Sequence, residues 1–334
     1  MGFLADIIQV RGTIDIAQWI ARPWSTRLSG PRCESMAQGL SGSRATRPCS
    51  TAESRPNIWS NCVIISNKVF VVTGGGDGIG QDVVLALVNR GARVAAVDIS
   101  ETGLGETVTL AGGVSDRIST HVVDIADRSA VEVLPDAVVK AHGAVDGLIN
   151  VAGIIHGFVR VNHLAFSDIE HVMNVNFYGV LNMTKTFLPV LLRRPEAHIT
   201  AVSSMGSFVP VPGQTIYGAS KAAVKLLMEG LNSELLDTNV RVNVVFPGTI
   251  ATNIAVNSGA MTQEESAALP KEIKEMKATP SPVAAEKIVR GIEKKSYHVF
   301  IGSDSIMMDK LSRLMPARAA KIVYSRLSAV LPPQ

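Results

Sequence analysis

From Lys68 onward, short β-branched runs alternate with stretches of helix length, and that alternation restricts the chain to one kind of architecture. The runs fall at residues 68–73, 93–98, 120–124, 145–150, 197–203, 241–246 and 298–301. Between them, residues 79–90, 129–142, 169–193 and 217–236 carry apolar side chains at helical spacing. The fold class this predicts is α/β: a single doubly wound domain, its seven-stranded, mostly parallel sheet covered by helices on both faces, with no internal boundary.

The 334 residues are 46% hydrophobic and 18% charged, the composition of a globular core. The net charge of +3 is unevenly placed. Residues 1–66 hold seven Arg, no Lys and four acids, together with all three Cys (Cys33, Cys49, Cys62) and all three Trp (Trp19, Trp24, Trp59). The remainder has 25 basic and 25 acidic residues and is neutral. A neutral body excludes a nucleic-acid footprint, and a Cys-free body excludes a disulfide-stapled fold. No apolar run reaches the roughly 18 residues of a membrane-spanning helix.

The leader, 1–66, has three readings: a disordered extension, a start of translation placed too early, or a mitochondrial transit peptide. Its Arg and Ser content suits the last, whereas Asp6, Asp15, Glu34 and Glu53 oppose it. The expected organisation is a leader over 1–66, a folded domain over 67–302 with a lid at 249–281, and a helical extension over 303–334. The expected location is the cytoplasm, with mitochondrial import as the alternative.

The first run leads straight into TGGGDGIG, residues 73–80, and then into a helix. Gly74, Gly78 and Gly80 permit a tight turn, close approach of a pyrophosphate and close packing of helix on strand, while Ile79 opens the helix whose amides face the phosphate. Asp98 ends the next run, where a carboxylate accepts from both ribose hydroxyls of NAD and repels a 2′-phosphate. Asp77 adds a second negative charge, and no Arg or Lys occurs from Phe70 to Val88. These features favour NAD over NADP and define a Rossmann dinucleotide site.

Several motifs together resemble the short-chain dehydrogenase/reductase family over residues 67–300: the glycine turn, Asp124 in VVDI, Asn150 to Gly153 as NVAG, Asn176 in NFYG, Ser204 in VSSMG, Tyr217 to Lys221 as YGASK, and Pro247 to Thr252 as PGTIAT. Hydride exchange with an alcohol carbon requires an acid/base at the alcohol oxygen. Tyr217 is such a group, and Lys221, one helical turn on, is expected to lower its pKa together with an oxidised nicotinamide. The resemblance implies that Ser204 polarises the substrate oxygen, Lys221 binds the nicotinamide ribose, and Asn176 kinks its helix to hold a relay water. It further implies cofactor contacts from Asp124, Ile125, Asn150, Ala152, Gly153, Pro247, Gly248, Ile250 and Thr252. Val151 departs from the family pattern, which has a second Asn there.

The implied function is an oxidoreductase passing a hydride between NAD(H) and a secondary alcohol or ketone. Ile154, Ile155, Phe158, Met205, Phe208 and Val211 are the pocket candidates, which suggests an apolar substrate. An NADP-dependent carbonyl reductase and a non-catalytic NAD-binding sensor or scaffold are the alternatives. The seven His lack metal-ligand spacing, so no metal is expected. The C-terminal extension, interrupted by Pro316, packs on the body or a second subunit, or rests on a membrane surface. The resemblance implies a homo-oligomer, dimer or tetramer.

Overall fold

The computed structural model describes residues 63–113, 116–264, 278–328 and Leu331. The leader expectation therefore falls on residues that lie, up to 62, outside the described ones. In chain order the elements begin with β1 (Val69–Thr73), α1 (Gly78–Asn89), β2 (Arg93–Asp98), α2 (Glu101–Leu110) and β3 (Ile118–Val122). Next come α3 (Arg128–Glu132), α4 (Leu134–His142), β4 (Gly147–Asn150), α5 (Phe166–Met173), a π-helical turn (Asn174–Gly179) and α6 (Val180–Leu192). β5 (Ala197–Val202), α7 (Thr215–Glu234), β6 (Val240–Pro247), β7 (Ile250–Ala251) and α8 (Ile254–Asn257) follow. The chain continues with β8 (Thr279–Pro280), α9 (Ser281–Glu293), β9 (His298–Ile301), α10 (Ser303–Leu314) and α11 (Pro316–Leu327).

Seven strands form one sheet in the order β3-β2-β1-β4-β5-β6-β9, and every pairing in it is parallel. Alternate side chains feed cores on opposite faces. Val69 and Val71 join Val138, Met183, Phe187, Val224 and Met228 from α4, α6 and α7. Phe70 and Val72 join Val83, Leu87, Leu104, Ile288 and Ile292 from α1, α2 and α9. Fully burying a side chain of this size contributes roughly 1.5–3 kcal/mol, so two such layers supply the main driving force for the fold.

Several boundaries differ from the sequence expectation. Packing begins before Asn67: Val63 and Ile65 are buried, and the Val63 amide donates to the Glu293 carbonyl at 2.9 Å. β3 lies two residues earlier than expected because this edge strand buries only alternate residues. The helix expected over 129–142 is split at Val133, next to Pro135, whose ring lacks an N–H and clashes with the preceding turn. The one expected over 169–193 is interrupted by the π turn. α2 and α9 were not anticipated. Beyond β9, α10 and α11 separate at Pro316 and pack Met308 and Val323 against Val209. Among the described residues, no helix is long and apolar enough to cross a membrane.

The strand order reverses at β1 and β4, from which the sheet grows outward in both directions. A crevice opens at the carboxyl ends of strands at such a switch point, and ligands of open α/β sheets bind there.

Candidate active site

The glycine turn leaves the end of β1 and enters α1. Gly74 and Gly78 adopt φ values of 71° and 54°, open only to residues without a side-chain penalty. A Cβ on Gly80 would lie 1.9 Å from the Gly74 carbonyl oxygen, so the start of α1 is pressed directly onto the turn. Ile79 packs on the α1 side of the core. Asp77 caps α1 by accepting from the Gly78 amide at 2.7 Å, and its other oxygen accepts from the Asn257 side chain. Thr107 of α2 donates to the Gly75 carbonyl at 2.8 Å, and a Cβ on Gly103 would lie 2.6 Å from the Gly76 oxygen. That contact explains why α2 contains a glycine.

Asp98, at the end of β2, accepts from the Gly76 amide at 2.9 Å and the Ser100 amide at 3.0 Å, one bond on each oxygen. Each oxygen retains a lone pair for a further donor. Past β3, Asp124 is exposed and accepts from the Ala126 amide at 2.8 Å, whereas Ile125 is buried against Gly179 of the π turn.

At the end of β4, the Thr73 hydroxyl accepts from the Val151 and Ala152 amides at 3.1 and 3.2 Å, tying β1 to β4. The Val151 side chain packs into the α1–α9 core, so its apolar character suits its surroundings. Asn150 turns its amide to Thr184 of α6 at 3.3 Å, a cross-link of sheet to helix. Asn176 sits in the π turn, fully buried; its Oδ1 accepts from the Ile154 amide at 2.8 Å and its Nδ2 donates to the Ile154 carbonyl and the Ser220 hydroxyl, both at 2.9 Å. A Cβ on Gly153 would come within 2.8 Å of Lys221 Nζ and 3.1 Å of Asn176 Oδ1. Lys221 and Asn176 thus converge on Gly153.

Lys221 is buried and donates to the Val202 carbonyl at 3.0 Å. Burial pushes its ammonium down to about 8. Tyr217, half-buried one turn earlier on α7, has its ring centroid 5.9 Å from Lys221 Nζ. Burial pushes the phenol up, and a hydrogen bond from Ser204 partly opposes this. Desolvation of both groups therefore outweighs the expected lowering of the phenol by Lys221, and the protein alone keeps Tyr217 protonated. The Ser204 hydroxyl also accepts from the Gly206 amide at 3.0 Å, which fixes the short 3₁₀ turn that follows β5.

Pro247 and Gly248 end β6. A residue with no local sequence signal controls the loop beyond them: Asp304, in the first turn of α10, accepts from the Thr249 amide at 2.7 Å, and a Cβ on Gly248 would lie 2.2 Å from its Oδ1. Ser305 donates to the Phe246 carbonyl at 2.7 Å. Ile250 packs on the core and pairs in β7 with Thr279 of β8; the Thr252 methyl lies against Gly78. Pro247, Gly248, Ile250 and Thr252 therefore approach the glycine turn from the opposite side of the crevice. Of the pocket candidates, Phe208 and Val211 line a cavity of about 310 Å³ with Gly206, Val209, Pro210 and Gln214. Phe208 also stacks edge-on against Phe246 and Phe300, and so serves the core as well. Among the described residues, no group of three or more His, Cys, Asp or Glu is placed to hold a metal.

These residues fit a dinucleotide. The glycine turn and the α1 amides form an anion cradle, Asp98 presents free lone pairs at the end of β2, and the small residues Ala152 and Gly153 leave backbone accessible at the end of β4. A parallel sheet with this cradle at its switch point defines a dinucleotide-binding Rossmann domain. The short chain dehydrogenase family model matches residues 68–263. The SadH protein of Mycobacterium tuberculosis (strain ATCC 25618 / H37Rv) is 35% identical over 268 residues, covering 79% of this chain and 97% of SadH. A short chain dehydrogenase/reductase from Burkholderia phymatum, solved in complex with NAD, superposes with a TM-score of 0.68 at 22% identity, covering 81% of this chain and 98% of that one. A short chain dehydrogenase from Burkholderia cenocepacia J2315, solved in complex with NADP, superposes with a TM-score of 0.64 at 26% identity, covering 79% and 99%. The chain belongs to the short-chain dehydrogenase family of oxidoreductases.

Proposed function

We propose that the protein is an NAD-dependent dehydrogenase that interconverts a secondary alcohol and its ketone, the substrate having an apolar body. The observation that carries this reading is the pairing of Ser204 with Tyr217, with Lys221 on the same helix, at the mouth of the glycine-turn crevice. A bound nicotinamide supplies the hydride donor or acceptor. The chain supplies the proton: Tyr217 takes it from the alcohol oxygen or returns it to the ketone oxygen, and Ser204 holds that oxygen in reach. Lys221 contributes a positive charge that favours the phenolate, and Asn176 keeps the β4 loop in register with α7.

Cofactor contacts are assigned to Gly74, Asp77, Gly78, Ile79, Gly80, Asp98, Asp124, Ile125, Asn150, Ala152, Gly153, Tyr217, Lys221, Pro247, Gly248, Ile250 and Thr252. Asn150 and Asp124 contribute through the backbone, since Asn150 directs its side-chain amide to Thr184 and Asp124 has one side-chain oxygen accepting from the Ala126 amide. Asp98 supports NAD over NADP, because a 2′-phosphate would meet its carboxylate. The exposed apolar residues Tyr178, Leu192 and Leu226 support a homo-oligomer.

The test is a panel of secondary alcohols with NAD, followed by NADH absorbance. NADH formation supports the reading. A protein that binds NAD and turns over no alcohol or ketone is a sensor or scaffold, and a preference for NADPH makes it a carbonyl reductase of the other cofactor class.

A further inference from the structure

Two buried polar atoms next to the catalytic helix have no hydrogen-bond partner among the described residues: Nε2 of His156 and Oε1 of Gln214. Both residues are more than nine-tenths buried, His156 at 5% and Gln214 at 3% exposure. They belong to the two loops that carry the active site. His156 is two residues beyond Ile154, which Asn176 clamps through both its amide and its carbonyl. Gln214 stands at the entry to α7, where its carbonyl accepts from the Gly218 amide at 2.9 Å, next to Tyr217. The Gln214 side chain donates to the His156 carbonyl, so the two loops are held together at this point.

The chemistry of the two atoms follows from the bonds already made. His156 Nδ1 faces the Gly157 carbonyl at 2.7 Å, and a carbonyl only accepts. Nδ1 therefore carries the proton, and Nε2 of the neutral ring is an acceptor. Gln214 Nε2 is the donor to His156, which leaves Oε1 as an acceptor as well. Two acceptors without a donor are costly in a desolvated place and call for a donor from a ligand. Gln214 lines the cavity bounded by Gly206, Phe208, Val209, Pro210 and Val211, and no acidic side chain lines it. An ammonium there would be an unpaired charge, so the donor is uncharged.

We propose that His156 and Gln214 form a second polar subsite that accepts a hydrogen bond from a hydroxyl on the substrate, distinct from the oxygen that exchanges its proton with Tyr217. This rests on the dehydrogenase reading and narrows its substrate class to hydroxyketones and diols with an otherwise apolar body. A site built to accept from a substrate hydroxyl discriminates strongly against the analogue lacking it, because its acceptors then stay unpaired.

The test uses the full chain, NADH, and methyl ketones of one length carrying a hydroxyl at successive carbons, beside the parent ketone. For at least one hydroxyketone, kcat/KM is expected to exceed that of the parent by about a hundredfold or more. Calorimetric titration is expected to show tighter binding of the same compound. In Gln214→Met, and separately in His156→Phe, the ratio of that hydroxyketone to the parent falls toward one. Turnover of all the ketones with no preference for any hydroxyl overturns the subsite and leaves the dehydrogenase reading in place. Neither turnover nor binding of any member overturns the dehydrogenase reading itself, and the subsite with it. The comparison on the unaltered protein stands even where a variant does not fold.

Discussion

Asp304 and Thr249 are joined by a 2.7 Å hydrogen bond, from the Thr249 amide to Asp304 Oδ2, that spans 55 residues and fastens α10 to the loop after β6. The same carboxylate sits against Gly248 and Gly302, whose φ of 92° lets the chain turn beneath it. The loop approaching the glycine turn is thereby positioned from the C-terminal part of the chain. In Asp304→Ala, loss of a charged hydrogen bond, worth about 1.5–3 kcal/mol, should loosen the loop and weaken dinucleotide binding by about tenfold or more. Fluorescence titration with NADH checks this, with Asp304→Asn expected to recover part of the loss. Unchanged affinity in Asp304→Ala would remove Asp304 from the cofactor loop's support.

Gly80 and Gly105 make a matched pair. A Cβ at Gly80 falls 1.9 Å from the Gly74 oxygen, whereas one at Gly105, exposed on α2, meets nothing within 4 Å. Gly80→Ala should push α1 off the turn and abolish dinucleotide binding. Gly105→Ala should raise stability by about 0.5–1 kcal/mol, the usual gain of alanine over glycine inside a helix. Thermal unfolding and NADH titration of both variants decide the matter.

The legible parts of this fold were those set by local chemistry. The β1 run, the glycine turn and the Tyr217–Lys221 spacing are each fixed by residues within a few positions of one another, and the structure brings them to one crevice. Elements whose identity depends on distant contacts were not legible. α2 reads poorly as a helix because Gly103 is there to clear the Gly76 carbonyl, a contact invisible in sequence. The π turn that aims Asn176 has no marker in its run of ordinary helix formers. Asp304 and Gln214 act on partners 55 and 58 residues away, so no spacing rule could have found them. His156 lies too far from His163 and His171 for one helix face, yet its burial gives it a different part from the exposed pair.

Cofactor choice should rest on Asp98. Its carboxylate meets the Gly76 and Ser100 amides and projects at the end of β2. The unaltered protein is expected to prefer NAD over NADP in kcat/KM, and Asp98→Asn to narrow that preference by removing the charge that repels a 2′-phosphate. A preference that does not change in Asp98→Asn would place the discrimination elsewhere.

Acid should destabilise the protein through His198. This residue is buried in β5, and desolvation lowers its pKa from 6.5 to about 4. The unfolded chain takes up the proton below about pH 6.5, while the folded one resists until about pH 4. Stability is therefore lost as the pH falls between those values, by about 3 kcal/mol at 1.36 kcal/mol per unit. Urea unfolding across that window should show the loss, and His198→Leu should remove this part of the slope. An identical slope in the variant would assign the acid sensitivity to other groups.

The central claim is that Tyr217 exchanges the proton that accompanies hydride transfer. Replacing it with phenylalanine removes one oxygen, the partner of Ser204, and leaves the ring beside Lys221. The decisive measurement is turnover of an active secondary alcohol by Tyr217→Phe, beside NADH binding by the same variant. Loss of turnover by about a hundredfold or more with NADH binding retained is the expected result, the scale on which a positioned acid/base acts. Undiminished turnover in Tyr217→Phe would contradict the mechanism.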